Sequence, residues 1–247
     1  MNTKIHLIPL RPAVAMLELV FAIIIIGIVL MSAPMVISTA NKSSDVALQQ
    51  EAISAAASEI GMILTYHWDE GDTDQNLSSP ILTSAGAGDL NEAQDANGNF
   101  IGTRVGTIQG SKRSFLTSLG TRINATAPNA LGNDANDNNQ SDDIDDFHNN
   151  ISALNNLQNT NTQTGDYIDN TLRITTNVVY ISDILSSNSY RGSATSIAFN
   201  MSSSAGANPT TSNIKRITVN LLTTNTKANI TLNAFACNIG TYKLEER

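Results

Sequence analysis

The side chains with metal-ligand spacing lie in one acidic stretch, Asn133–Asn150. Oxygen-bearing residues fall at positions 1, 3, 5, 7, 9 and 12 of a twelve-residue loop, the seventh through its backbone carbonyl: Asp134, Asn136, Asn138, Gln140, Asp142 and Asp145. Ca²⁺ takes six to eight oxygen ligands, which alternating Asp and Asn can supply. Asn139 replaces the usual glycine at position 6, but asparagine tolerates the left-handed conformation. The stretch predicts a calcium site, with a solvated acidic linker as the alternative.

The second residue that calls for a chemical explanation is Glu18, a carboxylate at the edge of an apolar segment. The 22 residues Leu19–Ala40 carry no charge, and about 20 apolar residues suffice to cross a bilayer. A lone charge in a membrane helix costs a few kcal/mol or more and usually has a partner. If the chain were cut after Ala13, the new amino group of Val14 would lie one helical turn from Glu18. The two groups could then neutralise each other, within one chain or between neighbours.

These residues carry a family resemblance. A basic leader, Met1–Ala13, precedes the run AVAMLELVF and the segment Ile23–Gly27. The pattern resembles the class III signal of type IV pilins and type II secretion pseudopilins. Counted from Val14 as residue one, Glu18 stands at the family's acidic position five and Gly27 at its glycine position fourteen. Pro34 falls one residue short of the usual helix-kinking proline.

The resemblance implies a processing and assembly route. A prepilin peptidase would cut between Ala13 and Val14 and methylate the Val14 amino group. The mature chain would be a single-pass protein of the bacterial inner membrane, in contact with lipid and with its C-terminal body in the periplasm. It would then join other pilin or pseudopilin subunits on an inner-membrane assembly platform, in a filament that can reach the surface. Glu18 would meet the amino group of an adjacent subunit, and Gly27 and Pro34 would shape the assembling helix.

Composition excludes several other functions. The formal charge is −8, and loss of Lys4 and Arg11 with the leader would make it −10. Such a chain repels nucleic acid, so no nucleic-acid partner is expected. Cys237 is the only cysteine, which excludes an intrachain disulfide, and it is expected to be a buried small apolar residue at the end of the last strand. No nucleophile elbow or histidine pair with metal-ligand spacing occurs, so the chain is read as a non-enzyme with no essential cofactor.

The apolar segment is expected to continue as one long helix from Val14 to about Thr65, with a break at Asn41–Ser44 as the alternative. The predicted apolar seams of its amphipathic half recur every seven residues: Val46, Ile53, Ile60 and His67, with Ala56 and Ile63 beside them.

The helix is expected to close in an acidic turn, Tyr66–Asp74, with Trp68 packed against the body. The turn's carboxylates are expected to be solvated, with cation binding as the alternative: Asp69, Glu70, Asp72 and Asp74. Asn76 fits a bacterial N-glycosylation pattern, a further alternative.

The sequence pattern of the C-terminal part predicts a β-sheet. Strand-length runs with β-branched residues predict an antiparallel meander: Leu172–Ile184, Ser193–Met201, Ile214–Thr223 and Asn229–Ala236. Asn149–Asp169 is expected to be an exposed loop. The predicted fold is α+β and pilin-like: a long N-terminal helix, transmembrane in one half and amphipathic in the other, packed on a C-terminal antiparallel sheet. The expected parts are residues 1–13 (leader), 14–40 (membrane and filament core), 41–68 (amphipathic helix), 69–171 (loop-rich region) and 172–247 (sheet).

Three functions follow from these patterns. The favoured hypothesis is a filament subunit, a minor pilin or pseudopilin, in which the apolar helix forms the filament core. A membrane-anchored calcium-binding or adhesive module that never polymerises is the first alternative. A secreted hydrolase with a signal peptide is the second.

Overall fold

A computed structural model describes residues 11–72, 78–108, 110–111, 113–134, 140–154, 172–191, 195–198, 206–223 and 229–242. The chain divides into two compact units, Met1–Glu51 and Ala52–Arg247. The described residues contain one long helix and antiparallel sheets, so the coarse prediction of an α+β protein with a long N-terminal helix is confirmed.

The helix, α1, runs from Arg11 to Ile63 without interruption. The alternative of a break at Asn41–Ser44 is therefore wrong. Pro34 lies inside the helix, where it removes one backbone donor and leaves the carbonyl four residues earlier without its usual partner. By length and composition α1 can cross a membrane, a test that a signal sequence also passes.

The described residues of the second unit form eight strands in three sheets. They are β1 (Ser78–Ser79), β2 (Glu92–Gln94), β3 (Phe100–Arg104), β4 (Asn150–Leu154), β5 (Leu172–Tyr180), β6 (Ile214–Thr223), β7 (Asn229–Cys237) and β8 (Thr241–Tyr242). The largest sheet has the antiparallel order β4-β5-β6-β7, while β1 pairs with β8 and β2 with β3. Consecutive strands are neighbours throughout the four-stranded sheet, so it is an antiparallel meander, as predicted for three of its strands. Its fourth strand, β4, was not predicted, and the described residues 195–198 of the predicted strand Ser193–Met201 are not part of it.

Strand boundaries differ from the prediction in three places. β6 has the predicted bounds. β5 ends at Tyr180, before the predicted Ile184, because the chain beyond it leaves the strand and Asp183 accepts a hydrogen bond from the Asn213 side chain. β4 lies inside the predicted loop Asn149–Asp169, so that prediction is wrong for 150–154; residues 155–169 lie outside the described part. Of the predicted strand Ser193–Met201, residues 195–198 are described and contain a single bridge, Ala198 to Ser187.

One apolar core joins the last turns of α1 to the four-stranded sheet. Ala52, Ala56 and Ile63 are fully buried in it. The predicted seam is wrong for Val46, Ile53 and His67, which are exposed, although Ile60 is partly buried and packs against the core. The buried face is formed mainly by small side chains, which allow close approach of a helix backbone. The sheet and its connections supply the rest of the core: Trp68, Phe147, Ile174, Val178, Tyr180, Ile217, Val219 and Leu221.

Candidate functional site

All five predicted processing and assembly residues lie on α1. The Ala13–Val14 bond falls in the first turns of the helix, and the leader residues 1–10 lie outside the described part. Val14 and Glu18 are four residues apart, about one turn, so their side chains share a face. Gly27 follows Glu18 by nine residues, which places it about 180° around the helix. Pro34, seven residues further on, shares the side of Gly27.

The first half of α1 presents apolar side chains all round. Residues at every angular position are more than half exposed: Val14, Met16, Leu17, Leu19, Val20, Phe21, Ile23, Ile24, Ile25, Ile26, Ile28, Val29, Leu30, Met31, Met35, Val36 and Ile37. A Cβ placed on Gly27 would meet no heavy atom within 4 Å. Exposed apolar surfaces of this extent are typical of segments that contact lipid or another protein.

Two hydroxyl groups in this segment donate to carbonyls of the helix itself. Ser32 donates to the Val29 carbonyl at 3.0 Å and Thr39 donates to the Met35 carbonyl at 2.9 Å. Such back-bonding lets a hydroxyl enter an apolar medium without an unmet hydrogen bond. Glu18 is the one acidic side chain between Val14 and Ala40.

A second candidate site surrounds a lysine in the core of the body. Lys215, on β6, has no exposed side-chain surface, and its ammonium makes three polar contacts. The Nζ atom lies 2.7 Å from Asp145 Oδ1, 3.0 Å from Asp69 Oδ2 and 2.6 Å from the Trp68 carbonyl oxygen. It also lies 4.2 Å from the centre of the Trp68 ring. Carboxylates and an aromatic face therefore enclose the cation on several sides.

Asp69 is fixed from several directions. Its Oδ2 accepts from the Thr126 amide at 3.0 Å, and its Oδ1 accepts from the Thr126 hydroxyl at 3.1 Å and the Gly71 amide at 3.3 Å. The Tyr180 hydroxyl approaches Oδ2 at 3.5 Å while donating to the Thr126 carbonyl at 2.8 Å. Both oxygens of Asp69 therefore accept hydrogen bonds from neighbouring groups.

Asp145, the second carboxylate that contacts Lys215, lies in a tight turn, Asp145–Phe147. Asp143 Oδ1 accepts the backbone amides of Asp145 at 2.8 Å and Asp146 at 3.1 Å. Burial, followed by the nearby charge of Asp145, raises the pKa of Asp143 to about 9. Burial also raises the pKa of Asp145, opposed by Lys215. With a pKa this high, Asp143 carries a proton at neutral pH.

The prediction of a solvated acidic turn after α1 is wrong for Asp69 and Asp72, which are 0% and 4% exposed. The pKa of Asp72 is raised to about 7, mainly by burial and opposed by hydrogen bonds from Ser79 and Trp68. Its Oδ1 atom is buried without a hydrogen-bond partner. Asp74 and the proposed glycosylation residue Asn76 lie outside the described residues. The helix terminus is therefore followed by a buried polar cluster, because Lys215 compensates the first of these acids.

The predicted calcium ligands are only partly described. Asn136 and Asn138 lie outside the described residues. Asp145, the predicted ligand at position 12, is buried and directs Oδ1 to Lys215. Among the described residues, no group of three or more His, Cys, Asp and Glu side chains is arranged to hold a metal ion. Calcium binding by Asp134, Gln140 and Asp142 stays a prediction.

A second polar network holds the connections against the end of the sheet. Asp183, fully buried, accepts from the Asn213 side chain at 2.7 Å and from the Ala87 amide at 2.9 Å. Arg104 donates to Asn213 Oδ1 at 2.7 Å, and Asn238 donates to the same oxygen at 3.1 Å. Each member satisfies another, as buried polar groups must.

Sequence reasoning missed Lys215, although its position on β6 contains a signal. Ile217, Val219 and Leu221 alternate with polar residues and face the core. Lys215 has the same parity, so the period-two pattern already places it inside. Cys237 was expected to be buried and is exposed, because it follows Ala236 and points to the opposite face of β7.

Comparisons with family models, with curated proteins and with solved structures found no match to this chain.

Proposed function

We propose that the protein is a structural subunit of a type IV pilus-like or type II secretion filament, a minor pilin or pseudopilin. The observation that carries this proposal is the exposed apolar half of α1 with Glu18 one turn from Val14. In the proposal, prepilin peptidase cuts after Ala13 and methylates Val14. The apolar half then rests in the inner membrane until it enters the filament core.

The physical basis is the cost of an unpaired carboxylate in lipid. Such a charge is unfavourable by a few kcal/mol or more in a single helix. A cationic amino group from an adjacent subunit removes most of that cost, because opposite charges attract strongly in a medium of low dielectric constant. Assembly would therefore be favoured where sister helices bring the Val14 amino group to Glu18. The uniformly apolar surface supplies the remaining contacts.

The basic residues of the leader support the orientation. Lys4 and Arg11 precede the apolar segment, and lysine and arginine flanking a membrane helix favour the cytoplasmic side. The body after α1 would then face the periplasm. Its surface would present partner or cargo contacts from a tip or shaft position.

The test combines the mature N-terminus with filament incorporation. Mass spectrometry of the native protein should find methylated Val14 as the first residue. Glu18→Ala should abolish recovery in sheared filaments, whereas Glu51→Ala, at an exposed acid on the same helix, should not. An intact Met1 with normal behaviour of Glu18→Ala would support a non-polymerising anchor. A chain that starts at Asn41 or later would support a secreted protein.

A further inference from the structure

The contact between Lys215 and Asp145 has the composition and the proximity of a reactive pair. An amine nitrogen and a carboxyl oxygen lie 2.7 Å apart, and their side chains are 0% and 4% exposed. Well-oriented intramolecular reactions reach effective molarities of about 10⁵ to 10⁸ M, because the entropy of bringing the groups together has already been lost on folding. Burial also removes the water that would otherwise solvate the ions.

The second acid next to Asp145 provides the proton that such a reaction needs. Asp143 and Asp145 are both buried, and Asp143 Oδ1 accepts the backbone amide of Asp145 at 2.8 Å. Burial and the neighbouring charge of Asp145 raise the pKa of Asp143 to about 9, so Asp143 carries a proton at neutral pH. That proton polarises the Asp145 carboxyl group toward attack. Asp143 is itself held by two backbone amides, those of Asp145 and Asp146.

The third acid, Asp69, contacts the Lys215 amine directly. Asp69 Oδ2 lies 3.0 Å from Nζ, and its two oxygens accept from the Thr126 amide and hydroxyl. The 3.0 Å contact with Nζ places Asp69 where it can accept a proton from the ammonium. The rings of Trp68 and Tyr180, with centres 4.2 and 5.5 Å from Nζ, shield the group from solvent.

We propose that Lys215 and Asp145 condense to an intramolecular amide that links β6 covalently to the turn at residue 145, with Asp143 and Asp69 as the proton-transferring acids. Nζ gives one proton to Asp69 and attacks Cγ of Asp145, to which Asp143 supplies a proton. The tetrahedral adduct returns a proton from nitrogen through Asp143 to the departing hydroxyl, which leaves as water. One C–N bond forms and one C–O bond breaks, and nothing is oxidised or reduced. The two acids together hold one proton, which is on Asp143 before the reaction and on Asp69 after it.

The amide would replace an ion pair that is costly to bury by a neutral linkage. A buried Lys–Asp pair must offset the desolvation of two charges, whereas an amide carries no net charge. The bond would also close a loop between residues 70 positions apart. Such a link restricts the unfolded chain, in the same way as a disulfide does. The inference concerns the body alone and does not depend on the proposed filament function.

Intact mass spectrometry of the full chain, purified in detergent, tests the proposal. The mass is measured on material whose Trp68 emission shows a buried indole. We expect the folded chain to lack the mass of one water molecule. Trypsin should then fail to cut after Lys215, and tandem spectra should find a branched peptide containing Lys215 and Asp145. A full mass with a linear peptide ending at Lys215 would overturn the proposal. Loss of water in a linear peptide, as a succinimide produces, would overturn it as well.

Three variants sharpen the test. Asp145→Ala should restore the full mass, whereas Asp142→Ala, at an exposed acid three residues earlier, should keep the loss of water. Asp143→Asn retains the shape but not the acid, so cross-linking after cell-free synthesis should slow by about 10²-fold. An unchanged rate in folded Asp143→Asn would exclude Asp143 as the acid. Because the wild-type mass is itself decisive, a variant that fails to fold leaves the main result intact.

Discussion

The ammonium of Lys215 lies 4.2 Å from the ring centre of Trp68 and donates to the Trp68 carbonyl oxygen at 2.6 Å. The only tryptophan of the chain is therefore bound twice by one lysine, through its ring and its backbone. Trp68 follows the end of α1 by five residues. The contact thus fixes the chain where it leaves the helix. The fluorescence emission of Trp68 therefore reports on the buried cluster around Lys215.

Replacement of Lys215 by methionine should destabilise the body strongly. The change leaves Asp69 and Asp145 buried without their cation, which costs about 3–5 kcal/mol. Urea unfolding followed by Trp68 emission measures the effect. Arg173→Met, at an exposed residue of β5, should change stability by less than about 0.5 kcal/mol. If Lys215→Met unfolds at the wild-type urea concentration, the cluster has no stabilising role.

Asp72 should make stability fall as pH rises. Its pKa is about 7 in the fold against an ordinary value of 3.8, so the folded state holds the proton more tightly than the unfolded chain. This contribution is fully present below pH 3.8 and is lost as pH rises through 7. Asp72→Asn should therefore gain roughly 2–4 kcal/mol relative to the wild type between pH 4 and 8. Thermal unfolding across that range measures the difference, and a constant gap would contradict the raised pKa. The exposed acid Asp45 supplies the control, Asp45→Asn.

Two glycines of one loop should respond oppositely to alanine. A Cβ on Gly86 would lie 2.3 Å from Asp183 Oδ2 and 2.7 Å from Asn213 Nδ2, whereas a Cβ on Gly88 would meet nothing within 4 Å. Gly86→Ala should cost about 1–3 kcal/mol because it displaces a buried hydrogen-bonded pair. Gly88→Ala should be neutral or slightly stabilising, since alanine restricts the unfolded chain. Equal unfolding midpoints for the two variants would show that Asp183 and Asn213 can move aside without lowering the free energy of unfolding.

The buried face of α1 can be tested with a pair of adjacent alanines. Ala56 is fully buried in the core and Ala57 is exposed. Ala56→Leu should destabilise the body by about 1–3 kcal/mol through overpacking, while Ala57→Leu should stay within about 0.5 kcal/mol. Denaturant midpoints of both variants give the comparison. The reverse order would mean that the helix presents a different face to the sheet.

The elements that could be predicted are those whose pattern is local. The uncharged run Leu19–Ala40 specifies a helix by length alone, and the alternation of Ile217, Val219 and Leu221 specifies both β6 and its buried face. The buried face of α1 was predicted only in part. Ala56 and Ile63 are buried, as their predicted seam requires. Ala52 was missed because hydrophobicity alone favoured larger residues such as Val46 and Ile53, which are exposed.

The charged cluster could not be predicted because its members are distant in sequence. Lys215 is separated from Asp145 by 70 residues and from Asp69 by 146. Each acid considered alone belongs to a run of polar residues, for which solvation is the usual outcome. Only the fold brings them to one cation. β4 escaped prediction for a related reason, since its Asn-rich flank resembles a loop and the strand forms by pairing with β5.

The exposed Cys237, the single thiol of the chain, offers a chemical handle that requires no engineering. A maleimide fluorophore or spin label attached there would mark every copy once, on the outer face of β7. Labelled cells would then permit live imaging of where these molecules gather.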